Sequence, residues 1–290
     1  MRKLNKPSRN VNDILDTYST QRKNIFSEID LPALKDHLIK CEKKYQSFAE
    51  LAKLHEIKNL PCSGQELLPD FYEKYFLKQT KLRKIYDEIK LIPQNSECPY
   101  CGIVKGADLE LDHYLSKKIF TEYAITPQNL VPCCAQCNKS KLDKNASCQE
   151  EQILHPYFDD FASEEQWLFA TCTKDYDAII YICKAPESWS QVNQERILYH
   201  FNTFNLAQSY GMLAAQEIRE YDWLVKDYLY NNDREGLVHH FYERFLSLNR
   251  RYINYWKTAL YQLLVKEYEH YETIFRITIK ALCKAARMHE

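Results

Sequence analysis

The sequence predicts a mainly α-helical protein with a small α+β insertion. Three observations carry that expectation. Apolar residues recur at three- and four-residue steps over long stretches on both sides of the middle of the chain. Near the middle, a short segment alternates in the manner of paired strands and holds two Cys-x-x-Cys pairs. Only 5 glycines stand among 290 residues, which argues against a loop-rich all-β fold and against glycine-rich nucleotide-binding loops.

Three regions follow: a helical one over 1–95, the cysteine module over 96–160, and a C-terminal one over 161–290 with a hairpin and then long helices. The first thirty residues are polar without a clean period and read as an extended arm. From Leu31, the residues Leu34, Leu38, Cys41, Tyr45, Phe48 and Leu51 mark one helical face, with Pro32 suited to the first turn. The run Pro61 to Gly64 is expected to break this helix. A second helical stretch runs to about Lys90, with Phe71, Tyr75, Leu82, Tyr86 and Ile89 as its buried face. Residues 92–97 read as a linker.

Beyond the module, 167–173 and 178–183 read as two strands around 174–177. Leu206, Tyr210, Leu213, Tyr221, Leu224 and Tyr228 suit one long helix, and Trp256, Leu260, Leu263, Tyr271 and Phe275 another. Such aromatic stripes read first as core packing and only second as a ligand or partner face.

Composition narrows the function. No apolar run reaches the ~18 residues a membrane span needs, and the basic start is not followed by the apolar stretch of a secretory signal. With 11 cysteines and no export signal, metal binding or free thiols are favoured over a disulfide framework, and the cytoplasm is the expected compartment. The 39 basic residues are balanced by 40 acidic ones. Basic clusters at 74–84 and 139–144 have acids close by, so tight unaided binding of nucleic acid is not promised.

Chemistry concentrates between Cys98 and Lys141. Cys98 and Cys101 form one pair, with Gly102 available for a turn of positive φ; Cys134 and Cys137 form the other. Two such pairs close a tetrahedral sphere around a structural zinc ion, which leaves the adjacent Cys133 as a buried thiol. Residues 109–112 alternate like a half-buried strand and 129–131 read as its partner. A helix starting near Cys134 would put Cys134, Cys137, Asn138 and Lys141 on one face. Two strands and a helix, stapled by zinc, would bring Asp112 and Asn138 together.

The segment from 98 to about 141 resembles the HNH endonucleases of the ββα-metal fold, in the subgroup pinned by two Cys-x-x-Cys pairs. The resemblance implies a metal-dependent nuclease. His113 then corresponds to the general base. Asp112 and Asn138 correspond to the ligands of a catalytic divalent ion, and Asn129 to the asparagine that braces the loop holding the base. The last metal position is often histidine; an asparagine oxygen there suits Mg²⁺ or Mn²⁺. Lys139 and Lys141 could touch flanking phosphates or the transition state, which would count Lys141 among the catalytic residues, and each reads equally as part of a solvated face. Glu110 reads first as a solvent-facing strand residue and second as a residue tuning the metal from behind its ligands, and His155 reads as structural. The stretch from Asp112 to Lys117, with Asn129 to Pro132 and His155 to Asp159, is also similar to nucleases of bacterial anti-phage systems. The Septu type, which works with an ATPase partner, is one of them. DNA is favoured over RNA, and either a partner protein or a homodimer fits the neutral, helical flanks. The competing reading is a zinc-ribbon adaptor that binds nucleic acid or protein without cutting.

Overall fold

The structure, a computed structural model, describes residues 1–19, 25–26, 29–59, 61–103, 109–143 and 145–276. Parts of the expected N-terminal arm and Lys144 of the second basic cluster lie outside the described residues. The chain divides into two compact units, Met1–Asp160 and Phe161–Glu290.

In place of an extended arm, helix α1 (Val11–Ser19) buries Val11, Ile14, Leu15 and Tyr18. Asn10 and Asp13 cap it reciprocally, each backbone N–H donating to the other's side chain at 3.0 Å. Ahead of it, the Arg2 and Leu4 amides donate to the Pro99 and Pro156 carbonyls, and the buried Arg2 guanidinium pairs with Glu97 at 2.7 Å. The start of the chain is thereby tied to the cysteine module.

Helix α2 (Leu31–Glu50) begins at Asp30, whose side chain accepts from the Ala33 N–H, and buries Leu34, Leu38, Cys41, Tyr45 and Ala49. It ends well before Pro61, because Ala52 turns to a φ of 52°. Leu51, expected on the buried face, is therefore exposed. The second helical stretch is interrupted. Helix α3 (Leu68–Phe71) runs into a π-helical turn over Tyr72–Phe76, in which the Leu77 N–H reaches back to the Tyr72 carbonyl, and α4 (Thr80–Lys90) follows. Two members of the basic cluster here are neutralised in place: Lys74 pairs with Asp70 and Arg83 with Asp87.

The module supplies β1 (Leu109–His113) and β2 (Leu130–Cys134), paired antiparallel with Asp112 opposite Val131 and His113 opposite Leu130. Helix α5 (Ala135–Lys141) follows directly. Leu111, Ala124, Ile125 and Leu130 of the module join Leu15, Leu38, Phe71, Phe76 and Ile85 of the helices in one hydrophobic core. One side of the ββα element is thus buried against the helices of the first ninety residues, and its position is fixed by that packing.

In the second unit, β3 (Leu168–Cys172) and β4 (Ile179–Cys183) form the expected hairpin. Helices α6 (Gln191–Thr203), α7 (Leu206–Glu220), α8 (Asp222–Tyr230), α9 (Arg234–Asn249), α10 (Trp256–Lys266) and α11 (Tyr271–Ile274) complete it. Neither long helix of the sequence reading is continuous: α7 breaks from α8 at Tyr221, and α10 ends at Lys266 before a tight turn at 268–270. The buried stripe of α7 is Leu206, Tyr210, Ala214 and Glu217, with Leu213 only half-buried. Glu217 is neutralised by Lys257 at 2.6 Å and accepts from the Tyr261 hydroxyl, so the aromatic residues there serve the core. Among the described residues, no helix is long and apolar enough to cross a membrane.

Candidate active site

The two cysteine pairs converge. Ligand atoms of Cys98, Cys101, Cys134 and Cys137 all lie within 4.8 Å of one another, and all four residues are buried. A tetrahedral ion with metal–sulfur bonds of about 2.3 Å sets its sulfurs roughly 3.8 Å apart, so the cluster has the size a zinc ion needs. Gly102 takes the positive φ of 66° expected of it and closes the first turn by donating to the Cys98 carbonyl. The second pair straddles the start of α5. Cys133 is not among the clustered cysteines; it is wholly buried, and burial raises its pKa.

Beside this frame lies an open cleft of about 470 Å³. Its lining includes Glu110, Asp112, His113, Asn138 and Lys139 from the ββα element, together with Tyr72 and Glu73 from the π-helical turn. The strand pairing and the first turns of α5 bring Asp112, His113 and Asn138 to one place, as their spacing predicts.

His113 is 9% exposed, and its Nε2 sits 2.8 Å from the Ala124 carbonyl oxygen. A carbonyl can only accept, so the neutral ring carries its proton on Nε2 and keeps the Nδ1 lone pair for an incoming proton. Burial, and then the nearby Lys117 ammonium, depress the His113 pKa to about 3. The ring is a neutral base, and Tyr72 packs on it edge to face with centroids 4.5 Å apart.

Asn129 is fully buried and bonded through its whole amide. Its Oδ1 accepts from the Leu115 N–H at 2.7 Å, and its Nδ2 donates to the Leu115 and Tyr123 carbonyls. It therefore pins the backbone just after His113 to the segment that carries Ala124.

Asp112 shares its carboxylate between the Lys141 ammonium and the Tyr100 hydroxyl, each at 3.2 Å. Burial raises its pKa, with Lys141 opposing the shift. The Lys141 ammonium also donates to the His113 carbonyl at 2.7 Å and is itself buried. The expectation that Lys141 touches a flanking phosphate is not met by this arrangement, since the ammonium faces inward. Its geometry suits balancing Asp112 and holding the base's own backbone. Lys139 is exposed at the cleft edge.

Asn138 donates its amide nitrogen to Glu110 Oε1 at 2.7 Å, which leaves its Oδ1 without that partner. Glu110 thus contacts Asn138 directly and is not a merely solvated strand residue. His155 is structural: its ring joins Tyr45 of α2 at 3.0 Å and stacks on Tyr114 at 4.3 Å. Sequence reasoning passed over Tyr72, Glu73, Tyr100 and Lys117. Of these, Tyr100 carried a signal, since it lies inside the first cysteine pair.

The family model of the HNH endonuclease matches residues 98–144. The chain is also 28% identical to the protein ea31 of Escherichia phage lambda over 221 residues, covering 71% of this chain and 74% of that protein. No solved structure matches significantly. The matched residues coincide with the two cysteine pairs, the Asp-His step and the Asn of α5, and residues 98–144 are an HNH endonuclease domain with a four-cysteine cluster of zinc-binding form.

Proposed function

We propose that this chain is a metal-dependent endonuclease that hydrolyses phosphodiester bonds in nucleic acid, with DNA favoured over RNA. The observation that carries the reading is the contact of His113 Nε2 with the Ala124 carbonyl at 2.8 Å, which leaves Nδ1 for a proton, in a cleft that also holds Asp112 and Asn138. Nδ1 of His113 takes the proton of the attacking water. Asn129 keeps the base in place by holding the backbone on both sides of its hydrogen bond. Lys141 balances the buried Asp112 carboxylate.

Asp112 and the Asn138 carbonyl are hard oxygen donors on one cleft, a donor set that fits Mg²⁺ or Mn²⁺. Such an ion, when bound, would supply charge neutralisation at the scissile phosphate and the leaving oxygen. The zinc ion belongs to the cysteine cluster alone, where four protein ligands leave no open position. The near-neutral net charge supports a partner protein or a second copy for targeting, and the resemblance to anti-phage nucleases supports an ATPase in that role.

The test is incubation of purified protein with plasmid, linear duplex, single-stranded DNA and RNA in Mg²⁺, Mn²⁺ or EDTA. Cleavage is expected with either ion, strongest on DNA, and none in EDTA. Folded, zinc-loaded protein that binds but cuts none of these would favour the adaptor reading. The sign of the His113 shift adds a second expectation. The base is active when deprotonated, so a pKa near 3 keeps it competent through and below pH 6.5, the ordinary histidine value. The acid limb of the pH–rate profile should therefore fall well below that value.

A further inference from the structure

Lys117 stands at the same cleft as His113, and its charge on that ring is the one part given to it so far. Its ammonium lies over the Tyr72 ring at 4.4 Å and is ion-paired with Glu73. Lys117 is 22% exposed by its side chain, whereas Glu73 is 52% exposed. Tyr72 in turn packs on the His113 ring. The cation is thus held one ring away from the base, and the anion that neutralises it is the more exposed partner. Both Tyr72 and Glu73 come from the π-helical turn, outside the 98–144 segment that the family model covers. Both line the cleft, and π-helical turns of this kind are frequent at functional sites.

Four carboxylates, Glu73, Glu110, Asp112 and Asp143, line this cleft, and of its lining lysines Lys139 stands exposed at the edge while Lys117 is held beside the base by Glu73. Lys141 is committed inward to Asp112. An exposed carboxylate in an ion pair is held weakly and is readily exchanged for another anion.

We propose that Lys117 is a substrate-binding residue that takes a phosphate of the nucleic acid beside the scissile bond, and that Glu73 occupies it until a phosphate displaces the carboxylate. The helices before the HNH domain then supply one wall of the substrate site. The proposal rests on the nuclease reading. In the free protein Glu73 stands where the phosphate will be, so it sets a threshold: chains that cannot offer a well-placed phosphate do not open the pair.

The test measures binding separately from cutting. Full-length protein carrying His113→Ala is titrated with a fluorescein-labelled DNA duplex across a salt series. Lys117→Gln, Lys117→Arg and Glu73→Gln are each added to that background. Lys117→Gln should weaken binding several-fold and reduce the slope of log K against log salt by about 0.9, the value for one lost phosphate contact on a duplex. Lys117→Arg should restore both. Glu73→Gln should tighten binding several-fold, with the largest gain at low salt. A structural role for the pair would lower the melting temperature of both Gln variants and leave the salt slope unchanged. An unchanged slope in Lys117→Gln, or unchanged affinity in Glu73→Gln, overturns the proposal while leaving the nuclease reading intact. Wild-type protein that cuts no nucleic acid overturns that reading itself.

Discussion

The cysteine cluster and the cleft beside it are built on the same two strands and one helix, yet their donors differ in kind, burial and balance. In the cluster, four buried sulfurs lie within bonding reach of a single centre, and no position is left for water or substrate. In the cleft, oxygen donors and one neutral imidazole face an opening, and each is oriented by a partner behind it: Tyr100 and Lys141 for Asp112, Glu110 for Asn138, the Ala124 carbonyl for His113. The first arrangement suits holding a fold. The second suits preorganised chemistry, where each reacting group is fixed before substrate arrives. Helix α5 serves both, presenting Cys137 to one and Asn138 to the other in consecutive positions.

Removing a thiolate breaks the comparison most severely. Cys134→Ser takes a ligand from the centre that ties β2 and α5 to the first cysteine turn. The module is expected to lose its zinc and its cooperative melting transition together, because binding energy at a structural zinc is folding energy. A zinc-free Cys134→Ser protein that melts like wild type and keeps its activity would sink the structural role.

A smaller effect is expected from the cleft side. Lys141→Met leaves Asp112 buried with only Tyr100 as partner. Stripping one member from a buried ion pair costs about 3–5 kcal/mol, and chemical denaturation should read a loss of that order with zinc content unchanged. Adding Asp112→Asn should recover part of it, since the uncompensated charge is then gone. Equal losses in the single and double variants would show that Lys141 contributes packing alone.

Much of this module was legible because its constraints are local. The pairs of cysteines fix two turns, alternation from Leu109 to Asp112 fixes a strand, and the step from Cys134 to Lys141 fixes a helix face. Other features escaped for physical reasons. The stripe of α1 at Val11, Ile14, Leu15 and Tyr18 is a single pair of turns among polar residues, and only the reciprocal Asn10 and Asp13 cap announces it. The breaks at Tyr221 and within Tyr72–Phe76 carry neither proline nor glycine, so composition gives no sign of them. Lys141 reads as a solvated lysine until the fold puts Asp112 beside it. The approach of Tyr72 and Glu73 to Lys117 is a tertiary contact that periodicity cannot encode.

The most direct measurement is the single-turnover cleavage rate of His113→Ala beside wild type in Mg²⁺ or Mn²⁺, with zinc content and melting followed on the same samples. Loss of a positioned general base lowers the rate by about 10²–10⁴-fold, and that loss is expected with zinc and melting unchanged. Cleavage by His113→Ala at the wild-type rate would contradict the division of labour between a cluster that holds the fold and a cleft that cuts.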